Sequence, residues 1–194
     1  MVWRAGSRYK TGMSDSSLSP PLAGIVLAGG RSTRMGADKA GLVWQGRSFL
    51  DHARRTLQDA GCRCIHVSGL TGEADNIPDP TPGAGPASAM AGLITQIPLS
   101  HGGYLFLAVD TPLLRPDDIA RLADGAPGHA RAFSGHPLPC YIPAFMNLTA
   151  EPGQSVFRLL EAAQVEWLTI DAGLTKRLLN VNTPDDLSRL RGPG

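Results

Sequence analysis

The sequence predicts an α/β fold, a Rossmann-like three-layer sandwich with a mostly parallel central sheet. Short apolar runs without polar alternation, such as Tyr104 to Val109, are typical of strands that helices cover on both faces. Amphipathic helical segments alternate with these runs along the chain. Charged and small residues directly follow the runs, at the strand ends where ligands bind in sheets of this kind. We therefore expect the functional site at that edge.

In the first half of the chain, the pattern predicts two strands and two helices. The strands are Gly24 to Leu27 and Cys64 to Val67, and the helix between them begins at Ser48 and ends at Gly61. A segment rich in proline and glycine then follows and excludes regular structure until about Ala87. The second helix is predicted over Met90 to Ile97.

The second half continues the alternation with three strands and three helices. Pro116 suits a first helical position, and Thr183 suits an N-cap before an acidic first turn. The predicted strands are Tyr104 to Val109, Leu138 to Ile142 and Val165 to Ile170, and the helices are Pro116 to Leu122, Ser155 to Ala163 and one that begins after Thr183.

Length and composition predict a single domain over residues 22–191 of this 194-residue chain. Residues 1–21 hold no apolar segment that would serve as an export signal or cross a bilayer, so we expect a disordered extension and a cytoplasmic protein.

The net charge of +1 argues against nucleic acid or an anionic membrane as partner. Three cysteines without C-x-x-C spacing are expected to be reduced structural thiols.

The segment IVLAGGRSTRMGADKA, Ile25 to Ala40, is the most informative part of the chain. Its glycines allow main-chain N–H groups to approach bound oxygens closely, and its cations supply positive charge. A tight turn with solvated charges is the alternative, but the combination favours a polyphosphate site. The order of residues matches neither a P-loop nor a dinucleotide-binding G-x-G-x-x-G. The residues concerned are Gly29, Gly30, Gly36, Arg31, Arg34 and Lys39.

Asp110 directly follows the apolar run YLFLAV and precedes Thr111 and Pro112. A carboxylate held at the end of a buried strand suits a hard cation that also binds phosphate oxygens. A helix cap or turn is the alternative for a lone aspartate. Magnesium is the expected ion, because it takes only one or two carboxylates together with water and substrate phosphates.

Asn180 and Asn182 flank one apolar residue in the segment NVNTP. Side chains two residues apart in an extended segment point the same way, so the two amides would present donors and acceptors together. Turn formation is the alternative reading of Asn-Thr-Pro.

Together, LAGGRSTRMGADKA, VDTP and NVNTP resemble the motifs of the molybdenum cofactor guanylyltransferases, within the nucleotidyltransferase superfamily. The resemblance extends from about Gly24 to Leu190. It implies transfer of GMP from GTP to molybdopterin that carries molybdenum, with Mg²⁺ as the metal. The products would be the guanine dinucleotide cofactor and pyrophosphate. Transient contact with molybdopterin-inserting proteins or molybdoenzymes is a further implication.

The resemblance also assigns roles to individual residues. Asp110 would bind the metal, and the His-Pro pair at His136 would lie near the acceptor. The sequence departs from the family's G-P-L-A-G pattern, because Ala89 replaces its final glycine. The implied catalytic residues are Arg34, Lys39 and Asp110; the nucleotide-binding residues are Leu27, Ala28, Gly29, Gly30, Arg31, Lys39, Ser68, Asp79, Gly85 and Asp110; the acceptor-binding residues are His136, Asn180 and Asn182.

Two other functions stay open at this point. One is a different nucleotidyltransferase of the same fold, a molybdopterin cytidylyltransferase or a sugar-phosphate nucleotidyltransferase; LAGG and NVNTP favour guanine. The other is a non-catalytic adaptor that binds nucleotide or cofactor for molybdoenzymes. The presence of both Lys39 and Asp110 argues against an adaptor.

Overall fold

The computed structural model describes residues 21–29, 39–70, 72–97, 100–125 and 128–191. Gly30, Arg31, Arg34 and Gly36, which the sequence places in the polyphosphate loop, lie outside these ranges. The predicted extension also lies outside them, apart from its last residue.

A six-stranded sheet forms the centre of the molecule, in the order β4-β1-β5-β7-β6-β8. β7 runs antiparallel to both of its neighbours, and the other five strands share one direction, which confirms the predicted mostly parallel sheet. A separate two-stranded hairpin precedes the first helix. The strands are β1 (Leu22–Leu27), β2 (Val43–Trp44), β3 (Arg47–Ser48), β4 (Cys62–Ser68), β5 (Gly103–Ala108), β6 (Arg131–Phe133), β7 (His136–Pro143) and β8 (Glu166–Leu168).

Helices cover both faces of the sheet and complete the three layers. Neighbouring residues of β1 point to opposite faces, so Ile25 lies in one core and Val26 in the other, both fully buried. Helices α2 and α4 pack on the first face, and α1, α3 and α5 on the second. The helices are α1 (Phe49–Asp59), α2 (Pro86–Gln96), α3 (Pro116–Ala123), α4 (Val156–Ala162), α5 (Ala172–Arg177) and α6 (Pro184–Arg191).

The structure departs from the predicted elements in two ways. Helix α2 begins at Pro86 rather than Met90, because the proline occupies the first turn, where its missing N–H costs nothing. The β2–β3 hairpin, β6 and α5 were not predicted. The hairpin strands have two residues each and join through Gln45 and Gly46, both with positive φ, too short a segment to show periodicity. β6 and α5 are similarly short.

The three cysteines are unpaired, and Cys62 and Cys140 are buried, as expected of structural thiols. Burial raises the pKa of the Cys62 thiol to about 12. Among the described residues, no helix has the length and apolar character needed to cross a membrane.

Candidate active site

Three segments far apart in the sequence meet beyond the carboxyl end of β5. The ammonium of Lys39 lies 3.1 Å from Oδ2 of Asp110 and donates a 2.5 Å hydrogen bond to Oδ1 of Asn182. The side chains of Lys39 and Asp110 are only 16% and 15% exposed. We call these three residues the Lys39 cluster. The cluster contains the predicted catalytic cation Lys39, the predicted metal ligand Asp110 and the predicted acceptor-binding residue Asn182.

Main-chain hydrogen bonds hold the segment of Asn182 against the end of β5. The N–H of Val181 donates to the carbonyl oxygen of Asp110 at 2.8 Å. The N–H groups of Asn182 and Thr183 both donate to Oδ2 of Asp186, in the first turn of α6. Hydrogen bonding to Thr183 and to the N–H of Asn182 lowers the pKa of the Asp186 carboxyl, so this anchor is charged at neutral pH.

Asp110 offers one carboxylate oxygen to a ligand. Its Oδ1 atom is buried and has no hydrogen-bond partner among the described residues, whereas Oδ2 receives Lys39. Buried polar atoms are rarely left without a partner, because the lost hydration is not replaced. A hard cation would satisfy this oxygen, so the residues present fit a magnesium ion. No group of three His, Cys, Asp or Glu side chains within the described ranges could form a closed metal cage.

A cleft of about 660 Å³ opens at the same edge of the sheet, between the ends of β1 and β4. We call it the β1–β4 cleft. Leu27, in its wall, accepts a hydrogen bond from the N–H of Val109, the residue before Asp110. Small residues and turns from three loops form most of its wall, which leaves the space and the backbone accessible. Five predicted nucleotide-binding residues line it, together with five residues that were not predicted to bind nucleotide. The predicted ones are Leu27, Gly29, Ser68, Asp79 and Gly85, and the others are Gly69, Pro82, Gly83, Pro86 and Ala89.

The loops after β1 and β4 touch through glycine. The carbonyl oxygen of Ser68 accepts hydrogen bonds from the N–H groups of Ala28 and Gly29. A Cβ atom on Gly69 would lie 2.1 Å from the Cα atom of Gly29, and Gly69 has φ +91°. Only glycine permits both this backbone angle and this approach. The sequence pattern that could have identified Gly69 as a site residue is its position directly after the strand that ends at Ser68.

The opposite wall of the cleft is the start of helix α2. Oδ1 of Asp79 accepts a hydrogen bond from the N–H of Thr81 and shapes the loop that leads there. Gly85 precedes the helix with φ +97°, and Pro86 is its first residue. Ala89, where the sequence departs from the family pattern, lies in the first turns of this helix and also lines the cleft.

The predicted acceptor residues lie along the same edge of the sheet. His136 is the first residue of β7, and because β7 runs antiparallel to β5, its beginning lies near the end of β5. Asn180 is exposed and precedes the buried Val181. Among the described residues, Asn182 is the acceptor candidate whose side chain contacts Lys39.

The comparisons with known proteins identify the class as a nucleotidyltransferase. The family model "MobA-like NTP transferase domain" matches residues 24–144, and the chain belongs to this family. The chain is 32% identical over 183 residues to the molybdenum cofactor guanylyltransferase of Xanthomonas euvesicatoria, an alignment of 90% of this chain and 96% of the relative. It is 33% identical to a probable molybdenum cofactor guanylyltransferase of Deinococcus radiodurans, with the same coverage.

Solved structures share the fold. The molybdopterin-guanine dinucleotide biosynthesis protein A of Archaeoglobus fulgidus matches with a TM-score of 0.66 at 17% identity, over 87% of this chain and 96% of that one. A Mycobacterium tuberculosis protein solved in complex with manganese matches with a TM-score of 0.62 at 18% identity, over 88% of this chain and 97% of that one. The predicted α/β fold and the predicted membership among the nucleotidyltransferases are thus confirmed.

Proposed function

We propose that this protein transfers GMP from GTP to the terminal phosphate of molybdopterin that carries molybdenum. The products are the molybdopterin guanine dinucleotide cofactor and pyrophosphate. The names of the curated relatives support this reaction. The observation that carries the proposal is the Lys39 cluster. It holds a cation and a carboxylate, one oxygen of which has no hydrogen-bond partner among the described residues, at the same edge of the sheet as a cleft of about 660 Å³.

In the proposed reaction, an oxygen of the acceptor phosphate attacks the α-phosphorus of GTP. The new P–O bond forms as the bond from the α-phosphorus to the bridging oxygen breaks, and pyrophosphate leaves with that electron pair. The acceptor phosphate is already ionised at neutral pH, so the chemistry requires no general base. The protein's contribution is then positioning and stabilisation of negative charge.

Lys39 is suited to a phosphate-directed role. An ammonium has three N–H donors, and Asp110 and Asn182 orient this one from two sides. The remaining N–H can face a phosphate oxygen. Arg31 and Arg34, whose positions the structure does not describe, are proposed to add charge along the triphosphate.

Asp110 is the proposed ligand of the metal. Its Oδ1 atom would hold Mg²⁺, which when bound supplies positive charge to the phosphate oxygens. A divalent ion is in keeping with the manganese complex of the structural relative, and magnesium is the specific proposal.

The β1–β4 cleft is the proposed GTP site. Gly29, Ser68, Asp79 and Gly85 would line the nucleotide, and Asn180, Asn182 and His136 would contact the pterin acceptor at the adjoining edge. We further propose that the protein acts in the cytoplasm and contacts molybdopterin-inserting proteins or molybdoenzymes transiently, when the product is handed on.

The test is incubation with each of the four nucleoside triphosphates, Mg²⁺ and molybdenum cofactor, followed by mass analysis of the pterin product. Of the four nucleotides, we expect only GTP to give product, a GMP adduct of the pterin and an equal amount of pyrophosphate. Lys39→Ala should slow product formation by about 10²-fold or more, whereas Lys176→Ala, at an exposed lysine of α5, should not. A CMP adduct would identify a cytidylyltransferase, and nucleotide binding without pyrophosphate release would identify an adaptor. Either result would overturn the proposal.

A further inference from the structure

A bidentate ion pair joins helices α3 and α5. Arg177 donates from Nε to Oδ2 and from Nη2 to Oδ1 of Asp118, both at 2.7 Å. Asp118 is buried, with 4% of its surface exposed. Two parallel hydrogen bonds between planar groups fix both the distance and the orientation of the partners, which a single contact does not.

Asp118 is itself held in place at the start of α3. Its Oδ2 atom also accepts a hydrogen bond from the N–H of Arg115. Burial alone would raise the pKa of Asp118, but the hydrogen bonds from Arg177 and from the N–H of Arg115 hold this pKa below its ordinary value. The carboxylate is therefore charged at neutral pH, and the pair is ionic.

Both helices are close in the chain to residues of the Lys39 cluster. α3 follows Asp110 in the chain, and α5 precedes Asn182. Leu174 of α5 and Leu178, which follows the helix, are buried in the same core as residues of α3. The segments after Asp110 and before Asn182 are thus joined at two points. One is the ion pair between α3 and α5, and the other is the hydrogen bond from the N–H of Val181 to the carbonyl oxygen of Asp110.

We propose that Asp118 and Arg177 are positioning residues for the transfer reaction. The pair sets the place of the Asn182 segment relative to Asp110, and through these two side chains it sets the position of the Lys39 ammonium. Neither residue belongs to the β1–β4 cleft or to the Lys39 cluster, so both act through Asn182 and Asp110. The kinetic part of the inference rests on the proposed function, and the structural part does not.

The alternative is that the pair only adds stability, and suitable variants separate the two roles. Arg177→Met removes the pair, and Arg177→Lys keeps the charge but loses the bidentate geometry. The matched control is Arg131→Met. Arg131 pairs with Glu166 between β6 and β8, at the far edge of the sheet, and its side chain is 20% exposed against 22% for Arg177.

The first measurement is amide hydrogen exchange, which needs no substrate. In Arg177→Met the Val181 amide should exchange about tenfold faster or more, because its bond to Asp110 opens more often. The internal reference is the Val109 amide, which directly follows β5 and donates to the carbonyl oxygen of Leu27 at the end of β1. Its exchange rate should change little. Arg177→Lys should give an intermediate effect and Arg131→Met none at Val181. Equal acceleration of both amides, or none at Val181, would overturn the positioning role.

The second measurement is steady-state kinetics below the unfolding transition of each variant. The kcat of Arg177→Met should fall about tenfold or more while its KM for GTP changes less than about threefold, because a displaced catalytic group impairs transfer more than nucleotide binding. Arg177→Lys should restore part of the rate. A normal kcat in folded Arg177→Met would contradict the inference. If the wild-type protein transfers no GMP, the proposed function fails, and the exchange result still decides the structural part.

Discussion

The Lys39 cluster and the β1–β4 cleft lie at one edge of the sheet but are built in different ways. The cluster consists of three polar side chains from distant segments, which hold each other through charge and hydrogen bonds. The cleft wall is mostly backbone and small residues, and its shape depends on how closely two loops approach. Substitutions in the cluster should therefore affect turnover, whereas substitutions in the cleft should affect nucleotide binding.

The largest effect is expected for Asp110→Asn. The amide keeps the shape of the side chain but loses the charge that a hard cation needs, and a metal supplies several kcal/mol of transition-state stabilisation. Mg²⁺-dependent kcat should fall by about 10³ or more, while metal-free GTP binding changes less. A metal titration should show weakened affinity. Wild-type metal affinity in this variant would remove Asp110 as the ligand.

Lys39→Ala should lower kcat by about 10² to 10³, because a lost phosphate-directed cation removes stabilisation of that order. Because the cleft rather than the cluster is expected to bind the nucleotide, the KM for GTP should change less than kcat. The fold should persist, since Lys39 belongs to neither hydrophobic core. Circular dichroism and single-turnover rates would check both points, and near-normal rates in a folded variant would exclude Lys39 from the site.

The double variant Asn180→Ala/Asn182→Ala should lose about two orders of magnitude or more in kcat/KM for the acceptor, because each hydrogen bond to a charged group contributes about 1.5 to 3 kcal/mol. GTP affinity should be nearly unchanged. The single variants separate the two amides. Of the two, Asn182 is the one whose side chain contacts Lys39, so Asn182→Ala should lower kcat as well. Calorimetry that showed equal weakening for GTP and molybdopterin would contradict the acceptor role.

The smallest effect on turnover is expected for Gly69→Ala, which acts on the cleft. The new Cβ would lie 2.1 Å from Gly29, so the two loops must separate, and the KM for GTP should rise about tenfold with little change in kcat. Gly72→Ala is a matched control, because Gly72 has the same φ of +91° but open space at its Cβ. Both variants should lose about 1 to 2 kcal/mol of stability from the strained backbone angle. An equal rise in KM for both would show that the close approach to Gly29 does not matter.

The sequence alone determined the class of fold and the chemistry at the strand ends. Apolar runs between amphipathic helices require a sheet covered on both faces, and Asp110 follows one of those runs directly, so its place at the sheet edge is a local property. The glycine-rich loop after β1 and the doublet of Asn180 and Asn182 were likewise visible as motifs. Their roles in binding stay predictions, and Arg31 and Arg34 lie outside the described residues.

The tertiary structure decided which of these segments meet. Lys39 and Asn182 lie 143 positions apart in the chain, and periodicity assigns each segment a face of an element but never its partner across the fold. The contact of Gly69 with Gly29 and the pairing of Arg177 with Asp118 have the same origin, since each depends on the register of β4 beside β1 or the packing of α5 beside α3. Strand order and helix packing are set by the sum of all core contacts, and no local sequence pattern contains that sum.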